Sequence, residues 1–204
     1  MQENSRNEQR RAFFNACAQG WEERNYPPHK LACIEQLLAS LSIKPGMTIV
    51  DVGCGQGVLL PFLRRLVGEG GHLAALDPCP EMLAHVRRRD GKVWPLLASA
   101  ECMPLLEGFV DMVICFSAFP HIGDKMAAAG EFHRILRPGG WAHVLHIDGR
   151  EKLNKLHDQH HAVCGDHLPC PHGMRKIFGG AGFVDMRVDD ADDHFYFSAL
   201  KRGA

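Results

Sequence analysis

Two periods of apolar residues alternate along the chain. Between Asn7 and Gly20, and again between Lys30 and Leu41, apolar residues recur at helical spacing, with "YPPH" (Tyr26 to His29) as the break. A short continuous apolar run, "MTIVDVG", then reads as a strand. Helical patterns over Val58 to Val67, Glu81 to Arg89 and Asp124 to Leu136 alternate with the further strands "GHLAALD", "VWPLLA", "FVDMVICF" and "WAHVLHI". Strands apolar on both faces and separated by helices imply a parallel sheet covered on each side. The tail differs: "FVDMRVDD" and "HFYFSALKR" face each other across an acidic turn, which predicts an antiparallel hairpin at one sheet edge. The fold expected is a Rossmann-like α/β sheet of seven mostly parallel strands, with helices on both faces.

Composition narrows the class. A length of 204 residues, against ~100–200 for a typical domain, predicts one domain with a sizeable core. Lys and Arg (23) nearly balance Asp and Glu (24), so bulk charge points to neither a nucleic-acid partner nor a membrane partner. No run approaches the ~20 apolar residues of a spanning helix, and the opening "MQENSRNEQRR" has no apolar segment behind it. A cytoplasmic protein is therefore expected. The eight cysteines are scattered, several inside apolar runs (Cys33, Cys115), and read as free thiols.

The candidate chemistry starts at "IVDVGCGQGVLLPFL" (Ile49 to Leu63), with three glycines in five positions directly after a strand. A glycine-rich turn there lets backbone approach a ligand at the helix N-terminus. The phosphate-cradling pattern GxxxxGK is absent. A dinucleotide fingerprint needs a small third residue after GxGxx, whereas Gly53, Gly55 and Gly57 are spaced GxGxG and Val58 follows. Asp51, two residues before the first glycine, would repel a pyrophosphate and welcome a cationic ligand.

This motif resembles the first motif of the class I S-adenosylmethionine-dependent methyltransferases, in the small-molecule branch similar to ubiquinone/menaquinone-type enzymes. The likeness extends through "FFNACAQGWEERNY", "AALDPCPEMLAHVRRR", "ASAECMPL" and "FVDMVICFSAFPHIGDKMAAAGEFHRILRPGGWAHVLHID", from about Phe13 to Asp148. Ser99, where an Asp is common, and Cys102 depart from the pattern. The resemblance implies S-adenosylmethionine as cofactor and methyl transfer as activity. It puts Asp77, followed by Pro78, on the ribose diol and the backbone of Gly53, Cys54, Gly55 and Gly57 along the amino acid and ribose. Ala100 and Glu101 fall at the adenine, and Cys115, Phe116 and Ser117 beside the sulfonium. The structural alternatives are Asp77 as a turn former and Asp51 as a capping partner. The division expected is an N-terminal helical cover over 1–45, a cofactor-binding core over 46–148, an acceptor-side helical insert over 149–181 and a hairpin over 182–204.

The acceptor is a question for the segment after the fifth strand. Asp148 with Glu151 has capping-box spacing and predicts a helix start. At ~100° per residue, Arg150, Asn154, His157, His161 and Cys164 share one stripe, with Leu153, Leu156 and Val163 on another. The second stripe should grip the core and the first should look into the cleft, where His121 and His146 converge. His121, His146, Arg150, Asn154 and His157 are thus the candidate set for a small-molecule acceptor, with His121, His146 and His157 as candidate catalytic groups. The alternative is a solvated helix face carrying incidental histidines.

His157 and His161 have the i, i+4 spacing of metal ligands, and Cys164 follows, but no CxxC and no zinc-helix Glu accompany them. No metal is therefore expected. "RRR" at Arg87 to Arg89 reads as a solvated helix end. Two other function classes remain: a non-catalytic S-adenosylmethionine-binding sensor or assembly protein, and a nicotinamide-dependent reductase, which the GxGxG spacing disfavours.

Overall fold

A computed structural model of the chain describes residues 2–203, with side chains described from Arg6 onward. Met1 and Ala204, the ends of the expected 1–204 unit, lie outside the described residues. Helices α1 (Gln2–Cys17), α2 (Trp21–Asn25) and α3 (Pro28–Ser40) come first. β1 (Thr48–Val52), α4 (Leu60–Val67), β2 (His72–Asp77), α5 (Pro80–Arg89), β3 (Trp94–Leu97) and β4 (Val110–Phe116) follow. Then come α6 (Lys125–Ile135), β5 (Leu136–His146), α7 (Arg150–Asp158), α8 (Pro171–Gly180), β6 (Phe183–Asp190) and β7 (Phe195–Lys201). Single 3-10 turns cover Phe119–His121 and His161–Val163.

The seven strands form one sheet in the order β3-β2-β1-β4-β5-β7-β6. β1 to β5 pair in parallel, and β7 inserts antiparallel between β5 and β6. Period-two alternation splits the core between the two faces. Val50, Val52, Leu76, Val113 and Cys115 pack with Phe132, Met174 and Phe178 of α6 and α8. Ile49, Leu73, Met112 and Ile114 pack with Ile34, Leu63 and Val86 of α3, α4 and α5. This is the layering that apolar strands on a parallel sheet require. Among the described residues no helix is long and apolar enough to cross a membrane.

Two boundaries differ from the sequence pattern. β5 begins at Leu136, because "RPGG" is absorbed as an irregularity between the Val110–Leu136 and Met112–Trp141 pairs instead of ending an element. α7 has no capping box. The Asp148 carboxylate is held by Lys30 (3.1 Å) and Lys152 (2.7 Å), and Gly149 takes the N-cap position. A Cβ at Gly149 would lie 2.2 Å from the Asp192 carbonyl oxygen, so this start packs directly on the β6–β7 turn. The RRR end is only partly solvated, since Arg89 Nη2 reaches Glu22 at 2.6 Å and Nη1 donates to the Gly57 carbonyl.

Candidate active site

β1 is flanked by β2 on one side and β4 on the other, and chain order reverses there. Open α/β sheets form their ligand crevice at the carboxyl ends of the strands at such a point. A cleft lies there, lined by Asp51, the loop after β1, Asp77, Ser99 to Glu101, Phe116 to Ala118 and His121, and roofed by residues of α1 and α2. Gly53, Gly55 and Gly57 all have positive φ (69°, 52° and 83°), the backbone region that glycine enters without strain. Each serves a different contact. A Cβ on Gly53 would sit 2.3 Å from Ala118 Cβ, and one on Gly57 2.5 Å from Leu60, whereas Gly55 has open space out to Met82 Sδ at 4.0 Å. Gly55 thus faces the cleft, while Gly57 lets α4 and α5 close beneath the loop.

Two carboxylates define the electrostatics. Asp77 is buried at the end of β2, where its Oδ2 accepts from the Gly55 N–H (2.9 Å) and its Oδ1 from the Cys79 N–H (2.8 Å). Burial raises its pKa against those two bonds. Asp51 is 2% exposed, its Oδ2 has no hydrogen-bond partner among the described residues, and burial with the nearby Asp77 charge pushes its pKa up to about 8. A buried carboxylate left without a donor needs a ligand that supplies one. The roof is tied to the floor by Gln56, whose Nε2 donates to the Ala18 carbonyl (2.6 Å) and whose Oε1 accepts from the Glu22 N–H (3.1 Å). Burial pushes the Tyr26 hydroxyl up to about 12, and Ser117 in the loop after β4 has φ 53°.

A polar network closes the other end of the cleft. Asp166, 1% exposed, accepts from Arg10 Nε at 3.0 and 2.9 Å and from Arg10 Nη2 at 2.6 Å. His121 Nδ1 lies 3.0 Å from Asp166 Oδ2, and His157 Nδ1 lies 2.6 Å from the Asp166 carbonyl oxygen. Hydrogen bonds from His121 and Arg10 outweigh burial and hold the Asp166 carboxyl at about 2. Burial lowers the His121 pKa, partly offset by Asp166.

Residues 50–144 match the family model described as a methyltransferase domain, and residues 7–92 match that of protein-L-isoaspartate(D-aspartate) O-methyltransferase. The chain is 38% identical over 108 residues to the malonyl-[acyl-carrier protein] O-methyltransferase of Serratia marcescens, covering 52% of this chain and 40% of that one. It is 33% identical over 123 residues to the ubiquinone/menaquinone biosynthesis C-methyltransferase UbiE of Vibrio cholerae, covering 56% and 47%. Nearly half of the chain, residues 50–144, is thus matched by a methyltransferase domain. The chain thus spans less than half the length of these two curated relatives. An S-adenosylmethionine-dependent methyltransferase from Aquifex aeolicus superposes with a TM-score of 0.75 at 22% identity, over 92% of this chain and 98% of that one, a likeness of fold.

Asp51, Gly53, Cys54, Gly55, Asp77, Pro78, Ala100, Glu101, Phe116 and Ser117 all line the cleft, and so does His121. The other expected positions do not line it. Gly57 packs on Leu60 and Val86, and Cys115 is fully buried within the sheet. His146 is buried, burial lowers its pKa to about 3, and among the described residues its Nε2 lacks a partner. Arg150 turns to Asp190 (2.8 Å), and Asn154 exchanges hydrogen bonds with the Leu168 backbone at 3.1 and 2.8 Å. His157 is 8% exposed with its ring centroid 4.8 Å from that of His121, whereas Leu156, expected in the core, is 55% exposed. Of the stripe expected in the core, Leu153 packs against it and Val163 is buried, but Leu156 points to solvent and His157 turns inward beside Leu153. His161 and Cys164 are exposed, and among the described residues no group of three or more His, Cys, Asp or Glu is placed to hold a metal ion.

Arg10, Tyr26, Gln56 and Asp166 escaped the sequence reading. Arg10 and Asp166 are 156 positions apart, and no local pattern joins them.

Proposed function

We propose that the chain transfers a methyl group from S-adenosylmethionine to a small-molecule acceptor held beneath α1 and α2. The observation that supports it most is the buried Asp51 carboxyl, whose Oδ2 has no partner among the described residues, beside Asp77 and an open glycine turn. Such a pair suits a ligand with an ammonium group at one end and a diol further along, and it disfavours a pyrophosphate. In this reading Asp51 takes the ammonium, Asp77 the ribose hydroxyls, Gly55 the close backbone approach, Ala100 and Glu101 the adenine, and Phe116 with Ser117 the region of the sulfur. The cofactor, when bound, supplies a methyl group on a cationic sulfur. The chain contributes alignment and exclusion of water, with Phe14, Trp21 and Tyr26 as the apolar side of the cleft. Residues 149–181 complete the acceptor end through Asp166.

Calorimetric titration of Asp77→Ala tests the assignment. Loss of a charged acceptor for two hydroxyls should weaken S-adenosylmethionine binding by about 1–3 kcal/mol without loss of the fold. Unchanged affinity would remove Asp77 from the site.

A further inference from the structure

The His121–Asp166 contact carries an inference that rests on the methyl-transfer reading. A carboxylate only accepts hydrogen bonds, so the short Nδ1 to Oδ2 contact puts the hydrogen of a neutral His121 on Nδ1 and the lone pair on Nε2. Among the described residues Nε2 has no hydrogen-bond partner, and His121 lines the same cleft as Asp51, Gly55 and Asp77. The ring is held in place by its other contacts. Lys125 Nζ ties down the Pro120 and Ile122 carbonyls on either side of it at 2.9 Å. Phe14 meets it edge-on at 5.0 Å. Asp166 is fixed in turn by Arg10, so α1 clamps the acid that orients the base.

The charged and titratable neighbours come from five directions: Asp166, Arg10 of α1, His157 of α7, His146 of β5 and Lys125 of α6. Burial, His157 and Arg10 disfavour the imidazolium, and Asp166 favours it, with the balance below the ordinary histidine value. The ring is therefore neutral and able to accept a proton at pH 7. Around it the cleft is walled by Phe14, Trp21, Tyr26, Phe116 and Ile122. Such a slot accommodates a flat neutral ring, since the carboxylates that line the cleft are engaged elsewhere: Asp51, Asp77 and Glu101 go to the cofactor in this reading, and Glu22 pairs with Arg89.

We propose that His121 Nε2 takes the proton of the methyl acceptor, that Asp166 is the positioning residue for that imidazole, and that the acceptor is an uncharged phenolic hydroxyl. A phenol has a pKa of about 10, so it reaches the site protonated and needs a base. As the oxygen–carbon bond forms, the carbon–sulfur bond breaks and its electron pair stays on sulfur, leaving a neutral thioether. The hydroxyl proton passes to Nε2, and Asp166 stabilises the resulting imidazolium across the Nδ1–H bond.

Ring-nitrogen NMR of the full chain saturated with S-adenosylhomocysteine tests the positioning without turnover. His121 should show a protonated Nδ1 and a bare Nε2 at pH 7. Asp166→Asn should move the proton toward Nε2, whereas Arg10→Gln, which loosens α1 but keeps the carboxylate, should not. A proton on Nε2 in the unaltered protein, or a tautomer indifferent to Asp166→Asn, overturns the proposal.

Transfer to two probes at pH 8 tests the chemistry. With 4-methylphenol, His121→Gln should lower kcat by ~100-fold or more, the usual scale of a lost general base, while S-adenosylmethionine affinity stays nearly unchanged. With 4-nitrophenol, largely ionised at that pH, the loss should be much smaller. Equal losses on both probes, or no transfer to either, overturn the acceptor class. Failure of S-adenosylmethionine to bind at all would instead strike the methyl-transfer reading.

Discussion

Gly53 and Gly55 sit two residues apart in one loop, and alanine at each should fail in a different way. Both have positive φ, 69° and 52°, where an added Cβ costs roughly 1–2 kcal/mol. At Gly53 the new atom would also stand 2.3 Å from Ala118 Cβ, so the β1 and β4 loops must move apart. Overpacking of that kind adds about 1–3 kcal/mol, for a total near 2–5 kcal/mol. For a chain of this size that lowers the melting temperature by roughly 4–20 °C. At Gly55 the nearest atom is Met82 Sδ at 4.0 Å, leaving only the backbone strain and a fall of about 2–8 °C. That Cβ occupies the approach path of the ligand, so Gly55→Ala should lose most S-adenosylmethionine affinity while remaining folded. Thermal melts and calorimetric titration of both variants separate the effects. The reasoning is refuted if Gly53→Ala melts no lower than Gly55→Ala, or if Gly55→Ala binds as tightly as the unaltered chain.

Leu156→Ala should change thermal stability within about 0.5 kcal/mol because the side chain is exposed, whereas His157→Ala, which removes a buried ring and its bond to the Asp166 carbonyl, should lower it by about 1–3 kcal/mol; melting curves that rank them the other way would restore the predicted helix phase. The Asp51 pKa is raised from 3.8 to about 8, so its contribution to stability is fully present below about pH 4 and is lost as pH rises to 8. Asp51→Asn should therefore gain stability over the unaltered ligand-free chain progressively from pH 4 to pH 8, and a pH-independent difference in melting temperature would count against the buried, unpartnered carboxylate. Arg10→Met leaves the Asp166 charge with fewer partners and should cost about 3–5 kcal/mol, the scale of a broken buried pair, which chemical denaturation can measure.

The sheet and the glycine loop were legible because their signals are local. An apolar strand, a GxGxG turn and an acid at the end of the next strand lie within thirty residues (Thr48–Asp77), and period-two burial needs no distant partner. The acceptor side was less legible for two physical reasons. α7 is only nine residues long, and its inner face pairs apolar Leu153 with His157 one turn on, so polarity is a poor guide to phase there. Leu156, assigned to the core by its hydrophobicity, is left in solvent because the inward side is occupied by the Asp166 network. That network joins α1, the turn after β4 and the segment before α8, contacts created by tertiary structure alone. Arg150 and Asn154 carried the right chemistry for a site, and they are consumed by holding α7 to β6 and to the Leu168 backbone.

The central claim is that the cleft at the ends of β1 and β4 is an S-adenosylmethionine site. Equilibrium titration of the full chain with S-adenosylmethionine and, in parallel, with NADH measures it directly, with Gly55→Val as the blocked control. Saturable binding of S-adenosylmethionine that Gly55→Val abolishes, with no binding of NADH, is the predicted result. Saturable binding of NADH without S-adenosylmethionine, or undiminished S-adenosylmethionine binding by Gly55→Val, would contradict it.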